Sequence, residues 1–91
     1  MVIAALKIKI LPDSPDVDLQ EIEKKIKKII EQFPNAKLHS TETEEIAFGL
    51  KALILTIAWP ENLEQSFLED KLKSIEHVDS VEVIDFRRAV G

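Results

Sequence analysis

The sequence from residue 46 to residue 59 reads Ile46-Ala47-Phe48-Gly49-Leu50-Lys51-Ala52-Leu53-Ile54-Leu55-Thr56-Ile57-Ala58-Trp59. It is the longest β-type run in the chain, and Lys51 is the one charged residue in it. Both alternating sets of its side chains are nearly all apolar, which is typical of a strand in the interior of a sheet. Phe48-Gly49 leads into it, and Pro60, which cannot donate to a strand ladder, follows it. The stretch therefore predicts a central strand over residues 50–59 with an unusual entrance.

The composition limits the fold and excludes several functions. The chain has 91 residues, and we predict a single domain over residues 1–91. It has no cysteine, which excludes disulfides, zinc–thiolate sites and thiol catalysis. A net charge of −5 argues against a broad nucleic-acid-binding surface. The apolar segment Met1–Ile10 is too short to cross a bilayer, so we expect a soluble cytoplasmic protein.

Three further segments have the pattern of strands. Residues 2–10 alternate between apolar and mixed positions, with the even positions facing inward. Residues 36–45 are polar and have little to bury, which is typical of an edge strand. Residues 80–87 form the last strand, and its outward-facing side chains are predicted to be Glu82, Ile84 and Phe86.

Two segments have the apolar spacing of helices. Asp18 with Glu21 predicts the N-cap of a first helix, which we expect to end at Phe33. Asn62 with Gln65 predicts the N-cap of a second helix. The buried stripe of the second helix is predicted to contain Leu63, Phe67, Leu68, Leu72 and Ile75.

The order of these elements predicts an α+β fold. It is the order of a ferredoxin-like βαββαβ sandwich, with a four-stranded antiparallel sheet (order 4-1-3-2) and two helices on one face. We expect right-handed crossovers to place the first and third strands in the centre, parallel to each other, with the edge strands running the other way. The other face of the sheet then stays open, and is predicted to carry Ile3, Ala5, Ala52, Ile54, Ile84 and Phe86.

These strand directions predict a functional surface at one end of the sheet. We expect Phe48-Gly49 and Phe86-Arg87-Arg88 to share a rim, with roughly 10 Å between the two points. A guanidinium suits a carboxylate or a phosphate, and an exposed aromatic side chain is typical of an interface anchor. A core position for Phe48 and simple solvation of the two arginines are the alternatives.

No motif for catalysis stands out. His39 and His77 have no ligand cluster beside them in sequence, so no metal site is predicted. Neither a nucleophilic triad nor a glycine-rich phosphate loop is present. We therefore predict a protein-binding module that is not an enzyme and has no cofactor. The alternative is a ligand-sensing or assembly module that uses the open sheet face, and weak self-association through that face is left open.

Three segments of the chain resemble archaeal elongation factor 1-beta. They are Ile10–Asp18, Ile46–Leu53 and Val78–Arg88, and the resemblance covers essentially the whole chain in the same order. That family is similar to the C-terminal exchange domain of the eukaryotic factor. The resemblance implies a guanine-nucleotide exchange factor that promotes GDP release from elongation factor 1-alpha, the GTPase that delivers aminoacyl-tRNA. It implies no direct nucleic-acid or membrane partner.

The resemblance also implies roles for individual residues. Phe48 takes the role of the aromatic residue that docks in a pocket of the GTPase domain. Arg88 takes that of a basic residue, lysine in the eukaryotic pattern, that reaches the partner's magnesium site, and Arg87 is the adjacent candidate. Gly49 and Phe86 complete the predicted partner-binding set.

Overall fold

The computed structural model describes residues 3–88 and contains six elements in the predicted order. They are β1 (Ile3–Pro12), α1 (Leu19–Glu31), β2 (Lys37–Glu45), β3 (Lys51–Pro60), α2 (Gln65–Lys73) and β4 (Val78–Arg88). The strands form one sheet in the order β2-β3-β1-β4, which is the predicted order 4-1-3-2 read from the other edge. Val2, the predicted start of the first strand, lies outside the described residues. Neither helix is long and apolar enough to cross a membrane.

β3 is a central strand that is buried on both faces, as its sequence predicts. Its helix-facing side chains join those of β1, α1 and α2 in one core, and the largest of them is Trp59. Ala52 and Ile54 on the other face are only 0% and 7% exposed. On β1 the buried residues are the even-numbered ones, namely Ala4, Leu6, Ile8, Ile10 and Pro12.

The first helix begins where the sequence predicts. Asp18 is its N-cap, and the Asp18 carboxylate accepts a hydrogen bond of 2.9 Å from the backbone N–H of Gln20. The helix ends at Glu31, two residues before the predicted end, because Gln32 is the C-cap. Its apolar stripe packs on the sheet through Ile22, Ile26 and Ile30.

The second helix begins later than predicted. Its N-cap is Glu64 and not Asn62. The Leu63 carbonyl accepts a hydrogen bond of 3.0 Å from the indole N–H of Trp59, and the Leu63 N–H donates to the Pro60 carbonyl at 3.1 Å. These contacts hold Leu63 in a turn, so Asn62 cannot begin a helix.

Phe67 is the member of the predicted stripe that the structure exposes. Its side chain is 57% exposed, whereas Leu68 and Leu72 are fully buried. One residue corresponds to about 100° around an α-helix. Leu68 takes the core-facing position and Phe67 is turned towards solvent, so the prediction that Phe67 is buried is wrong.

The two central strands run antiparallel, so the expectation of a parallel central pair is wrong. Ala4 pairs with Trp59 at one end of β1, and Ile10 pairs with Leu53 at the other. The reason lies in the connections. Each helix links strands that are not neighbours, β1 with β2 and β3 with β4, and returns the chain to the same end of the sheet. The hairpin between β2 and β3 reverses the direction, and every neighbouring pair is then antiparallel.

A β-bulge in β4 changes which residues share a face. The pairing shifts between Lys7 and Ile8 of β1, which leaves Ile84 as an extra residue in β4. One extra residue moves the following side chains to the opposite face. Phe86 consequently pairs with Leu6, a core residue on the helix side. The prediction that Phe86 lies on the open face is wrong.

Candidate functional site

Phe48 stands at the tip of the hairpin between β2 and β3. The backbone N–H of Leu50 donates a 3.0 Å hydrogen bond to the carbonyl of Ala47, which closes a tight turn around Phe48 and Gly49. Phe48 has φ of 57° and Gly49 has φ of 77°. Positive φ at both central residues is the signature of a type I′ turn, whose twist matches that of the flanking strands. Residue 48 is therefore held at the tip of the hairpin.

The Phe48 side chain is 95% exposed. It buries almost no apolar surface, so it contributes little to the stability of the fold. A left-handed backbone suits glycine or asparagine and costs a bulky residue on the order of 1–3 kcal/mol. Of the two interpretations of Phe48 that the sequence leaves open, the core position is excluded. A strained, exposed aromatic residue is better explained by contact with another molecule.

Two other loops lie at the same end as Phe48. Pro15, in the loop between β1 and α1, lies beside Gly49, since a Cβ placed on Gly49 would lie 3.8 Å from Pro15 Cβ. That loop contacts the loop before β4, where the backbone N–H of Asp13 donates to the His77 carbonyl at 2.9 Å. Nδ1 of His77 lies 3.4 Å from Oδ2 of Asp13. The hairpin tip thus projects beside two loops that are joined to each other.

Arg88 lies at the opposite end of the sheet from Phe48. It pairs with Ala4, near the start of β1, whereas Leu53 pairs with Ile10, six residues further along the same strand. Six residues of a strand span about 20 Å. Phe48 lies beyond Leu53, outside the paired region. The predicted shared rim, with roughly 10 Å between the two points, is wrong.

This error follows from the direction of β4. β3 and β4 run the same way, so the end of β4 lies beside the end of β3, and the hairpin lies at the start of β3. The predicted partner-binding residues therefore form two groups. Phe48 and Gly49 form the hairpin group, and the strand-end group consists of Phe86, Arg87 and Arg88.

Both arginines of the strand-end group contact carboxylates. Nε of Arg87 donates to Oδ2 of Asp85 at 3.0 Å, within the same strand. Nε of Arg88 is paired with Oε1 of Glu61, which follows directly after β3. The arginine side chains remain 80% and 75% exposed. Sequence reasoning missed Glu61, although the strand register predicts its position once the antiparallel central pair is known.

The open sheet face is less apolar than predicted. Phe86 lies on the other face, and Ile54 is nearly covered although both helices pack on the opposite side of the sheet. The cross-strand neighbours of Ile54 are Lys9 and Glu42, whose long side chains flank it. What remains is a small groove lined by Ile3, Ala5, His39, Thr56 and Ala58. Self-association through this face stays a prediction.

The polar side chains of residues 3–88 do not assemble a metal site. Within that range no group of three or more His, Asp or Glu side chains is placed to hold a metal ion. The core of the same range contains apolar residues and no buried polar or charged one. The candidate site within residues 3–88 therefore consists of the aromatic hairpin tip at Phe48 and the arginine pair at the end of β4.

Comparisons with known proteins place the chain in a defined group. Residues 5–89 match the family model described as the EF-1 guanine nucleotide exchange domain. A relative named elongation factor 1-beta from Methanosarcina barkeri is 44% identical over 86 residues, covering 92% of this chain and 94% of the relative. Another relative of that name, from Nanoarchaeum equitans, is 39% identical over 84 residues, covering 90% and 100%.

A solved structure shares the fold at lower sequence identity. It is the ACT domain from the GTP pyrophosphokinase of Chlorobium tepidum, with a TM-score of 0.63 and 20% identity. The alignment covers 92% of this chain and 100% of that domain. At this identity the likeness shows a common ferredoxin-type fold and nothing more.

Proposed function

The chain belongs to the EF-1 guanine nucleotide exchange domain family, an exchange-factor family of translation elongation, and we propose that it promotes GDP release from elongation factor 1-alpha. The observation that carries this proposal is the 95% exposed Phe48 at the hairpin tip. It is the side chain that the family resemblance assigns to docking on the GTPase. The protein would act in the cytoplasm, where translation elongation takes place.

Exchange is a matter of relative affinity. A factor accelerates GDP release when it binds the nucleotide-free GTPase more tightly than the GDP-bound form, because only such a difference shifts the equilibrium between the two. No bond in the nucleotide is made or broken in this process. The factor therefore needs contact residues and not a set of catalytic groups.

Phe48 is the proposed anchor of the complex. Large aromatic side chains that enter a partner pocket are frequent hot spots, and truncation of a hot spot costs about 2 kcal/mol or more, a factor of about 30 in affinity. The type I′ turn presents the ring before the partner arrives, so little ordering is needed on binding. Gly49 supports this presentation because its φ of 77° suits glycine.

Arg88 is the proposed cationic contact. Magnesium ties the phosphates of a bound nucleotide to a GTPase, so a cation that competes at the metal site weakens nucleotide binding. Arg88 is 75% exposed at the strand end and carries a permanent charge. Arg87 is the neighbouring candidate, with its guanidinium held beside Asp85.

The separation of Phe48 and Arg88 constrains the complex. The molecule is 41 Å long and only 22 Å by 18 Å across, and the two residues lie at opposite ends of its sheet. A partner that contacts both must follow the long dimension of the domain. We therefore propose an extended footprint on the GTPase with two separate contacts.

The test is a titration of this protein against elongation factor 1-alpha loaded with a fluorescent GDP. We expect the release rate to rise and then saturate. Phe48→Ala should raise the half-saturating concentration about 30-fold or more, with an unchanged melting temperature. Phe67→Ala is the matched control, since it truncates a second exposed aromatic away from the hairpin, and should change the half-saturating concentration less than twofold. Equal effects of the two variants would contradict the anchor role.

A magnesium series tests Arg88 separately. We expect Arg88→Ala to lower the maximal release rate at millimolar magnesium. The difference from the wild-type protein should shrink as magnesium is removed, because the metal no longer holds the nucleotide. Arg87→Ala, analysed in parallel, shows which arginine carries the effect. A loss of rate that is independent of magnesium would contradict the proposed role.

A further inference from the structure

Glu61 is joined to Arg88 across the end of the sheet. Arg88 pairs with Ala4, and Ala4 pairs on its other side with Trp59, two residues before Glu61. β4 and β3 are separated by β1, hence by about 10 Å, and the small Ala4 side chain lies between them. Long side chains from the two strands can meet there, and Nε of Arg88 is paired with Oε1 of Glu61.

The two side chains of this pair differ in their exposure to solvent. The Glu61 side chain is 23% exposed, whereas that of Arg88 is 75% exposed. The carboxylate is therefore the better-packed member, and the guanidinium can turn towards a partner. Arg87 differs from Arg88 because its carboxylate, Asp85, belongs to the same strand two residues earlier. The Arg88 contact, in contrast, links β4 to the segment between β3 and α2.

We propose that Glu61 is a positioning residue that holds Arg88 against the domain and competes with the GTPase for it. This inference rests on the proposed function of Arg88. The Arg88 guanidinium cannot lie beside Glu61 and inside a site of the partner simultaneously, and a carboxylate beside the guanidinium offsets the charge that would enter a magnesium and phosphate site. Within the complex, the Arg88 side chain therefore exchanges between a position beside Glu61 and a position in contact with the GTPase.

The expected size of the effect is modest. An exposed ion pair of this kind contributes about 0–1 kcal/mol, so its removal changes the engaged fraction of Arg88 by up to about fivefold. The change should appear in the maximal rate of GDP release. The half-saturating concentration should stay the same, because Phe48 governs docking at the opposite end. A changed maximal rate at a constant half-saturating concentration distinguishes a positioning role from a general effect on folding or affinity.

The test compares Glu61→Gln with Glu64→Gln. Glu64 lies in the same segment, loses the same charge, and contacts Ser66 and not an arginine. We expect Glu61→Gln to raise the maximal release rate about two- to fivefold at an unchanged half-saturating concentration. Glu64→Gln should leave both values unchanged. In an Arg88→Ala background, Glu61→Gln should have no effect.

A measurement on the protein alone keeps the contact testable without the GTPase. The NMR signal of the Arg88 Nε–H group should shift and exchange faster with solvent in Glu61→Gln but not in Glu64→Gln. An unchanged Arg88 signal would overturn the proposal, as would an equal or lower maximal rate for Glu61→Gln. A rate increase that persists in the Arg88→Ala background would also overturn it. Failure of the proposed function is distinguished by the wild-type protein, which would then not accelerate release at all.

Discussion

Phe48 and Arg88 lie at opposite ends of the sheet. β3 and β4 run in the same direction. The hairpin that carries Phe48 comes before the start of β3, whereas Arg88 is the last residue of β4. Six residues of β1 separate the positions opposite Arg88 and Leu53, which corresponds to about 20 Å before the hairpin itself is counted. The two residues therefore cannot form one compact site. If both act in exchange, they act as separate contacts on an extended partner surface.

Separate contacts predict additive effects. Substitutions more than about 10 Å apart that share no partner usually add within about 0.5 kcal/mol. The release rate per unit of factor at low factor concentration gives a free-energy change for each variant. The values for Phe48→Ala and Arg88→Ala should therefore sum to that of the double variant. Release rates of the four proteins at low factor concentration measure this. A double variant no worse than either single variant would instead indicate that the two residues act as one unit.

Phe48→Asn should stabilise the protein while weakening exchange as much as Phe48→Ala does. Asn-Gly is the preferred pair for a type I′ turn, and asparagine tolerates positive φ far better than phenylalanine. Because Phe48 is 95% exposed, little burial is lost. We expect a gain of about 1 kcal/mol in the free energy of unfolding, measured by urea denaturation.

Phe48→Ala is the control for the turn, since alanine removes the ring but keeps the strain. It should raise the half-saturating concentration for exchange equally, without the gain in stability. A destabilised Phe48→Asn protein would contradict the account of the turn. A Phe48→Asn protein with the exchange activity of the wild-type protein would contradict the role of the ring.

The helix cap at Asp18 should contribute to stability and not to exchange. Its carboxylate accepts the Gln20 N–H at 2.9 Å, and replacement of such a cap by alanine costs about 1 kcal/mol. Asp18→Ala should therefore lower the free energy of unfolding by that amount and leave the maximal release rate unchanged. Asp16→Ala in the same exposed loop removes the same charge without this cap and should change stability less.

The open sheet face should matter little for exchange. Ile54 lies there between Lys9 and Glu42 and is 7% exposed. Ile54→Thr keeps a β-branched side chain on the strand, and we expect a release rate within twofold of the wild-type value. A selective loss of exchange, or a change in the oligomeric state seen by analytical ultracentrifugation, would favour the module that uses the open sheet face.

Local pattern was sufficient to predict most of the fold. Alternation in β1, burial of both faces of β3 and the cap at Asp18 are properties of short segments, and each agrees with the structure. The sequence leaves both a core position and an exposed position open for Phe48, and the structure decides for the exposed one. The resemblance to elongation factor 1-beta identified the family that the comparisons show.

The errors arose where side-chain contacts, bulges and strand connections, and not the spacing of apolar residues, set the geometry. The indole N–H of Trp59 donates to the Leu63 carbonyl, and α2 begins later than predicted. The N-cap pattern at Asn62 does not reveal this hydrogen bond. The bulge at Ile84 inverts the face of Phe86, and its sequence signal is the adjacent apolar pair Val83-Ile84, where the apolar alternation shifts from odd to even positions. Strand direction could have been derived from the connections alone, and a correct derivation would have separated Phe48 from Arg88.

The central claim is that this protein accelerates GDP release from elongation factor 1-alpha. The most direct test is the release of a fluorescent GDP from the GTPase of the same organism, with excess unlabelled nucleotide and the factor at one tenth of the GTPase concentration. The account predicts complete, accelerated release, because each factor molecule serves several GTPase molecules in turn. The contradicting result is a release rate equal to that of the GTPase alone, both at this ratio and in a second experiment with saturating factor.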